Sequence, residues 1–268
     1  MPETQAEPLT EGVKAVRCWS RLGAADLRRA GNRLTPPPCP HHRAIHQTGH
    51  MKITYAGGTV TGITAGEPGE VGVLLAHGAG AGQDHPWIAA VRDGLARRGL
   101  FVLSFNYRYT EAGKRAPDRM PMLLTVHRAA ADVLAGECER VVLAGKSMGG
   151  RVGSHLVGDD GWPAAGLVYF GYPLVPMGRG DPRPTDHLEK IEVPQLFFAG
   201  TRDRLSPPEL VVPIAASVPD GTLEVVEDGD HSFKVPKRSP TSNEEVLDNV
   251  TGAAADWIIT RIRIHSAG

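Results

Sequence analysis

The sequence predicts an α/β fold in which a mostly parallel central sheet carries helices on both faces. From Val71 onward, short apolar runs alternate with longer segments of helical periodicity, as in successive βαβ units. The run Val71–Ala76 (VGVLLA) is continuously apolar, which is typical of a strand buried on both faces. Ahead of it, Met51–Tyr55 and Thr59–Thr64 alternate around a Gly-Gly turn, which predicts an N-terminal β-hairpin.

The remaining elements follow from the same patterns. In chain order they are a helix at about 86–98, a strand at 100–105, a helix at about 121–135, a strand at 141–144, a helix from 149, strands at 166–170 and 195–199, a helix at 210–218, a strand at 222–226 and a helix from 243 to about 264. Residues 171–194, between two of these strands, are rich in Gly and Pro and too few for a large cap domain. We therefore expect an open site there.

The chain divides into two regions at Met51. Residues 1–50 contain the proline-rich run PPPCP, several arginines and no alternating strand pattern, and they lack the apolar stretch of a signal peptide. This composition predicts a largely disordered arm, and residues 51–268 are predicted to form the α/β domain. One hypothesis is that Met51 is the native start and that residues 1–50 come from an over-extended gene prediction. A genuine flexible arm is the alternative.

Charge and cysteine content exclude several functional classes. The formal net charge is −1, so neither nucleic acid nor a membrane surface is expected as a partner. No apolar run approaches the roughly 20 residues needed to cross a bilayer. Cys18, Cys39 and Cys138 are odd in number and lack metal-ligand spacing, which favours a reducing cytoplasm over a disulfide framework. The composition predicts no particular oligomeric state.

The segment VVLAGKSMGGR, residues 141–151, has two possible interpretations. A GKS tripeptide after a strand occurs in phosphate-binding loops, but the first glycine of that motif would fall at Arg140, so the loop lacks its opening turn. G-K-S-M-G is also a G-x-S-x-G motif, the sharp strand-to-helix turn that exposes a nucleophilic serine. The apolar strand before it and the helix after it favour this second interpretation. Ser147 is the predicted nucleophile, with Gly145 and Gly149 leaving room for its strained backbone.

A serine nucleophile needs a base and an acid that orients the base. His231, in the loop DGDHSF after the last predicted strand, is the expected general base. Asp203, in the loop that ends FFAGTRD, is the expected acid, because the order Ser147, Asp203, His231 is that of strand-to-helix serine elbows. Asp228 and Asp230 are rivals, but sequence neighbours of the histidine are poorly placed to reach its Nδ1 atom.

Backbone N–H groups are expected to bind the developing oxyanion. One belongs to Met148, which follows the nucleophile, and the other to Ala79 in the loop HGAGAG at residues 77–82. His77 is predicted to brace that loop rather than to carry a proton. Four further residues are candidates for substrate contact, with simple packing as the alternative for the larger ones: Gly80, Trp87, Tyr172 and Leu174. A serine triad needs neither a cofactor nor a metal, and none is predicted.

These motifs resemble the α/β-hydrolase superfamily, and more narrowly its dienelactone-hydrolase-like or testis-expressed-protein-30-like branch. The resemblance covers Met51 to the C-terminus and is carried by HGAGAG (77–82), FNYRYTEAGKRAPDR (105–119), AGKSMGGR (144–151), GYPL (171–174), FFAGTRD (197–203) and GDHSFKVPKR (229–238). It implies the α/β-hydrolase fold without a large cap domain and the same Ser147, Asp203 and His231 triad.

Two functions from different classes are compatible with this sequence. The first is a cytoplasmic serine hydrolase that cleaves an ester, a thioester or a related acyl bond of a small molecule through an acyl-enzyme. Peptidase, acyl-transferring and perhydrolytic activities are variants of it. The second is a catalytically silent scaffold or binding protein, since a fold does not fix a function. The separated triad residues favour the first.

Overall fold

A single sheet organises the molecule, which is described here by a computed structural model for residues 16–18, 48–176 and 181–263. The strands are β1 (Val16–Cys18), β2 (Thr48–Tyr55), β3 (Gly58–Ala65), β4 (Val71–Ala76), β5 (Phe101–Phe105), β6 (Arg140–Lys146), β7 (Gly166–Phe170), β8 (Gln195–Gly200) and β9 (Gly221–Val226). The helices are α1 (Pro86–Arg97), α2 (Arg108–Glu111), α3 (Met120–Ala135), α4 (Met148–Gly158), α5 (Asp186–Glu189), α6 (Pro208–Ser217) and α7 (Asn243–Ile258), which continues into a π-helical turn at Ile259–Arg263.

The nine strands pair in the order β1-β9-β8-β7-β6-β4-β5-β3-β2. The hairpin strands β2 and β3 are antiparallel to each other, and β3 is antiparallel to β5. All other pairs are parallel. The carboxyl ends of the parallel strands therefore lie along one edge of the sheet, where open α/β sheets place their ligands.

Two apolar layers hold the helices against the sheet. Alternate residues of β4 serve the two layers: Val73 and Leu75 pack with α1 and α7, while Leu74 and Ala76 pack with α3 and α4. All four side chains are fully buried. Because β4 is buried on both faces, its sequence is apolar at every position, and each buried Val or Leu stabilises the fold by roughly 1.5–3 kcal/mol.

The predicted fold class is confirmed: a mostly parallel sheet with helices on both faces, an N-terminal hairpin and no large cap. Every predicted strand and helix of residues 51–268 is present with small shifts of its ends. Two single-turn helices, α2 and α5, were not predicted because four residues carry no periodicity. The last helix gives way to a π-helical turn before its predicted end, and residue 264 lies outside the described residues.

Six positions within residues 1–50 differ from the predicted disorder. Val16–Cys18 pairs in parallel with β9, and β2 begins at Thr48 rather than at Met51 because backbone pairing with β3 extends to Ala65. The other residues of this arm lie outside the described residues, and the hypothesis that Met51 is the native start stays a prediction. Within the described part of the chain, none of the helices is long and apolar enough to span a membrane.

Candidate active site

Ser147 occupies a strained turn between β6 and α4. Its φ and ψ are 50° and −113°, a conformation that costs a residue with a Cβ atom of order 1–3 kcal/mol. The glycines around it make the turn possible, because a Cβ atom on Gly145 would lie 2.2 Å from the Gly150 nitrogen and one on Gly149 would lie 2.6 Å from the Ala76 oxygen. This is the strand-turn-helix context expected of a serine elbow.

The structure brings together the three side chains predicted as a triad. The Oγ atom of Ser147 lies 2.9 Å from Nε2 of His231, and Nδ1 of His231 lies 2.7 Å from Oδ2 of Asp203. The three residues follow β6, β9 and β8, so their meeting results from the shared carboxyl edge of those strands.

Asp203 is buried and fully hydrogen-bonded. Its exposed fraction is 2%, and its Oδ1 atom accepts hydrogen bonds from the backbone N–H groups of Leu205, at 2.8 Å, and Ser206, at 3.0 Å. Burial alone would raise the pKa of this carboxyl. The hydrogen bond and charge of His231, together with the two backbone donors, outweigh burial and lower the pKa of Asp203. The carboxyl is therefore ionised at neutral pH.

One of the rival acids, Asp230, has hydrogen-bond partners of its own. Oδ1 of Asp230 accepts hydrogen bonds from the backbone N–H groups of Ser232, at 2.8 Å, and Lys234, at 2.9 Å, so this carboxylate closes its own loop. Asp228 lies at the tip of the same loop in a left-handed conformation, with φ of 58°. The Nδ1 atom of His231 faces Asp203 instead.

The glycine-rich loop after β4 lies against the elbow, since a Cβ atom on Gly78 would be 3.6 Å from Cβ of Ser147. His77 is fully buried, and its ring is held at both nitrogens: Nδ1 donates to the Gly78 carbonyl at 2.8 Å, and Nε2 accepts from the Tyr107 N–H at 3.2 Å. Burial lowers the pKa of His77 to about 4, so the ring is neutral. This placement matches the predicted brace.

A cavity of about 300 Å³ opens beside the nucleophile. The two predicted oxyanion residues, Ala79 and Met148, line it together with Ser147. The rest of the lining is mainly apolar, with two arginines and one carboxylate: Pro117, Asp118, Met120, Leu123, Arg151, Pro173, Val175, Arg183 and Leu205. A larger groove of about 780 Å³ lies between β2 and α3, and none of the predicted site residues lines it.

The four candidate substrate contacts are not among the residues that line this cavity, and their contact with a substrate stays a prediction. Trp87 packs against Phe170 beneath the site, because α1 turns its apolar face to the sheet. The Tyr172 hydroxyl is hydrogen-bonded to the side chain of Ser154, and Leu174 is buried in the core. Gly80 is exposed in the loop after β4, next to the cavity-lining Ala79.

Two residues of the site were missed by sequence reasoning. Gly171 follows β7 with φ of 72°, and a Cβ atom there would lie 3.2 Å from Oδ2 of Asp203 and 3.3 Å from Nδ1 of His231. Lys146 precedes the nucleophile and is buried behind it. The glycine of GYPL, immediately after a buried strand, was a readable signal for the first. Burial of a lysine leaves no sequence signal.

Comparison with known proteins identifies the family to which the chain belongs. The sequence model of the alpha/beta hydrolase domain matches residues 69–259, more than half of the chain. The chain belongs to the α/β-hydrolase family.

Solved structures of hydrolases share the architecture of this family member at low sequence identity. A dienelactone hydrolase from Anabaena variabilis has a TM-score of 0.64 and 19% identity, covering 81% of this chain and 99% of its own. Est1E from Butyrivibrio proteoclasticus with ferulic acid bound has a TM-score of 0.64 and 17% identity, covering 80% and 99%. XC6422 from Xanthomonas campestris, described as a serine hydrolase without a lid, has a TM-score of 0.59 and 17% identity, covering 83% and 96%. At these identities the likeness establishes the fold.

Proposed function

We propose that this α/β-hydrolase is a serine hydrolase that cleaves an ester, thioester or related acyl bond of a small molecule. The observation that carries the proposal is the continuous hydrogen-bonded chain from the Ser147 hydroxyl through His231 to Asp203, at 2.9 and 2.7 Å. A serine hydroxyl becomes an effective nucleophile when a positioned base accepts its proton. The carboxylate fixes the imidazole tautomer whose Nε2 atom is free to do so.

The proposed reaction proceeds in two halves. Ser147 attacks the substrate carbonyl while Nε2 of His231 takes the hydroxyl proton, and the imidazolium then gives that proton to the leaving alcohol or thiol. Water, activated by the same imidazole, releases the acyl group from Ser147. Asp203 stays ionised throughout and accepts the hydrogen bond from the Nδ1–H group.

The backbone N–H groups of Met148 and Ala79 are proposed to bind the oxyanion. Three features support this: Met148 is the first residue of α4, Ala79 belongs to the loop that contacts the elbow, and both line the cavity with Ser147. The amino end of a helix carries partial positive charge, which favours an anion there. Loss of one such donor typically costs about 2.7–4 kcal/mol of transition-state stabilisation.

The cavity supports a small acyl substrate. Its volume of about 300 Å³ lies at the lower end of the range for small-molecule sites, and its lining is mainly apolar. Met120, Leu123 and Val175 are the side chains against which an acyl chain would pack. Among the described residues, no group of three or more His, Cys, Asp or Glu side chains is arranged to hold a metal ion.

A fluorophosphonate probe tests the proposal directly. Incubation with the folded protein should label Ser147, as located by peptide mass spectrometry, and Ser147→Ala should abolish both labelling and the hydrolysis of p-nitrophenyl and thioester substrates. Ser217→Ala, at an exposed serine at the end of α6, is the matched control and should retain both. Absence of labelling and turnover in the wild-type protein would favour the catalytically silent binding protein instead.

A further inference from the structure

The peptide group between Gly78 and Ala79 carries the N–H that is proposed to bind the oxyanion. Among the described residues, no peptide bond is cis. In a trans peptide the C=O and N–H groups lie in one plane and point in opposite directions. The direction of the Ala79 N–H is therefore set by the groups that hold the Gly78 carbonyl.

Three donors hold the Gly78 carbonyl. Its oxygen accepts hydrogen bonds from Nδ1 of His77 at 2.8 Å, from the Ala81 N–H at 3.3 Å and from the Tyr109 hydroxyl at 3.4 Å. A carbonyl oxygen has two lone pairs, so these three donors use its full capacity. Two of the donors are side chains, and only one of these, His77, belongs to the same loop.

The bond from the Ala81 N–H closes a β-turn over residues 78–81. Gly80 is the third residue of this turn and has a φ of 71°, as a type II turn requires. The turn makes no use of the N–H of its second residue, Ala79, and none of the described residues accepts a hydrogen bond from it. Since Ala79 lines the cavity beside Ser147, this N–H is available to a substrate oxygen.

Tyr109 approaches the turn from another part of the chain. It lies in the single-turn helix α2 and is 1% exposed. Its ring stacks on that of Tyr107, with centroids 6.3 Å apart, and meets the His77 ring edge to face at 5.9 Å. Burial raises the pKa of Tyr109 by more than its hydrogen bonds lower it. The phenol therefore keeps its proton at neutral pH and donates it to the Gly78 carbonyl.

We propose that Tyr109 is a positioning residue which, together with His77, holds the Gly78 carbonyl and so directs the Ala79 N–H toward the oxyanion. Its effect on catalysis rests on the proposed function, whereas its effect on the peptide does not. Without the hydroxyl, the peptide plane visits orientations in which the N–H misses the oxyanion. Complete loss of an oxyanion donor lowers kcat by about 10²–10³-fold, so a misdirected donor should cost about tenfold.

Tyr109→Phe removes the hydroxyl and keeps the ring. In full-length protein, kcat for a p-nitrophenyl ester should fall about tenfold while KM stays within about twofold, because the oxyanion forms only after the substrate has bound. The corresponding thionoester, in which sulfur replaces the carbonyl oxygen, is a weaker hydrogen-bond acceptor and gains less from the donors. The ratio of ester to thionoester rates should therefore fall by about fivefold or more. A general loss of structure would lower both rates and leave this ratio unchanged.

The direction of the Ala79 N–H can be measured without turnover. Residual dipolar couplings in NMR spectra of the full-length protein report the orientation of each N–H bond. Tyr109→Phe should change the coupling of Ala79 and leave that of Met148 unchanged, because Met148 is held at the start of α4. The two proposed oxyanion donors thus provide a measurement and its internal reference in one sample.

Tyr169→Phe is the matched control. It also removes a buried tyrosine hydroxyl, which donates to Oε1 of Gln195 on β8 rather than to the loop after β4. The rate ratio and the Ala79 coupling should stay at their wild-type values. If Tyr109→Phe fails to fold, His77→Gln, which removes the other side-chain donor to the Gly78 carbonyl, should change both quantities in the same directions.

An Ala79 coupling that Tyr109→Phe leaves unchanged overturns the proposal. An equal loss of rate on the ester and the thionoester does so as well, since it would assign Tyr109 a purely structural role. A changed Ala79 coupling in a protein whose wild type neither hydrolyses the ester nor reacts with a fluorophosphonate at Ser147 would refute the hydrolase assignment alone.

Discussion

A Cβ atom placed on Gly171 would lie 3.3 Å from Nδ1 of His231, which is the nitrogen atom that faces Asp203. The glycine therefore borders the hydrogen bond that orients the proposed base. Its φ of 72° lies in the left-handed region, which adds backbone strain to any substitution there. Contact with the triad and backbone strain can be separated experimentally because the chain contains a second glycine with the same conformation and no close neighbours.

Gly171→Ala should lower kcat by about tenfold or more, because the added methyl group displaces the imidazole or the carboxylate by a few tenths of an ångström. Gly161→Ala is the control: its φ is 68°, and a Cβ atom there would meet nothing within 4 Å. Both variants should lose about 1–2 kcal/mol of unfolding free energy in urea titrations, since both force an alanine into the left-handed region. Equal activity in the two variants would show that Gly171 does not constrain the triad.

Asp203→Asn should reduce kcat by about 10⁴-fold, because an amide at this position favours the wrong imidazole tautomer. Asp228→Asn removes the same charge from the neighbouring loop and leaves a residue that tolerates the left-handed conformation, so activity should stay within about threefold of the wild type. Steady-state kinetics on an ester identified in the substrate panel provides the measurement. A larger loss for Asp228→Asn than for Asp203→Asn would assign the acid to the wrong loop.

Ser147→Gly should be more stable than Ser147→Ala by about 1 kcal/mol, although both are inactive. The backbone strain at φ of 50° and ψ of −113° comes from the Cβ atom, which alanine retains and glycine lacks. Ser217, at the end of α6, should give the opposite order, with glycine less stable than alanine by about 0.5–1 kcal/mol in a helical position. Urea unfolding of the four variants measures both differences, and equal stabilities at position 147 would contradict a strained elbow.

Acid should destabilise the protein in two separate pH ranges. The folded pKa of His77 is about 4, below an unfolded value of about 6.5, so the unfolded chain binds more protons between these limits. The contribution of His77 to the free energy of unfolding is complete above about pH 6.5 and decreases as the pH falls toward 4. This one residue accounts for a loss of about 2 kcal/mol between pH 8 and pH 5. His127 and His187, whose pKa values burial lowers to about 3 and about 4, add to the same loss. The lowered pKa of Asp203 contributes stability that is lost below about pH 4.

Urea unfolding midpoints measured from pH 8 to pH 5 test the predicted loss of stability. His77→Gln keeps an acceptor for the Tyr107 N–H group and cannot take up a proton. The unfolding free energy of this variant should therefore fall less steeply with decreasing pH, because its unfolding takes up one proton fewer than that of the wild type. His50→Gln, at an exposed position of β2, should follow the wild-type curve. A His77→Gln curve with the wild-type slope would mean that this ring is not buried as a neutral group.

The fold was predictable because its main signals are local. The continuous apolar strands, the glycine-bounded elbow and the loops after them are each readable within about ten residues, and the known order of serine, acid and base connected them. The single-turn helices α2 and α5 were missed because they have no periodicity, and β1 because a three-residue strand depends on its pairing partner β9.

The sequence by itself predicted the sheet, the elbow at Ser147 and the grouping of Asp203 and His231 with it, since these predictions follow from hydrophobic periodicity and chain order. Only the tertiary structure decided which side chains surround them. Trp87, Tyr172 and Leu174 are buried in packing contacts, and Lys146 and Gly171 border the triad, because the direction of a side chain depends on which neighbouring elements cover it. Most such contacts join residues far apart in the chain, and hydrophobic periodicity does not encode them.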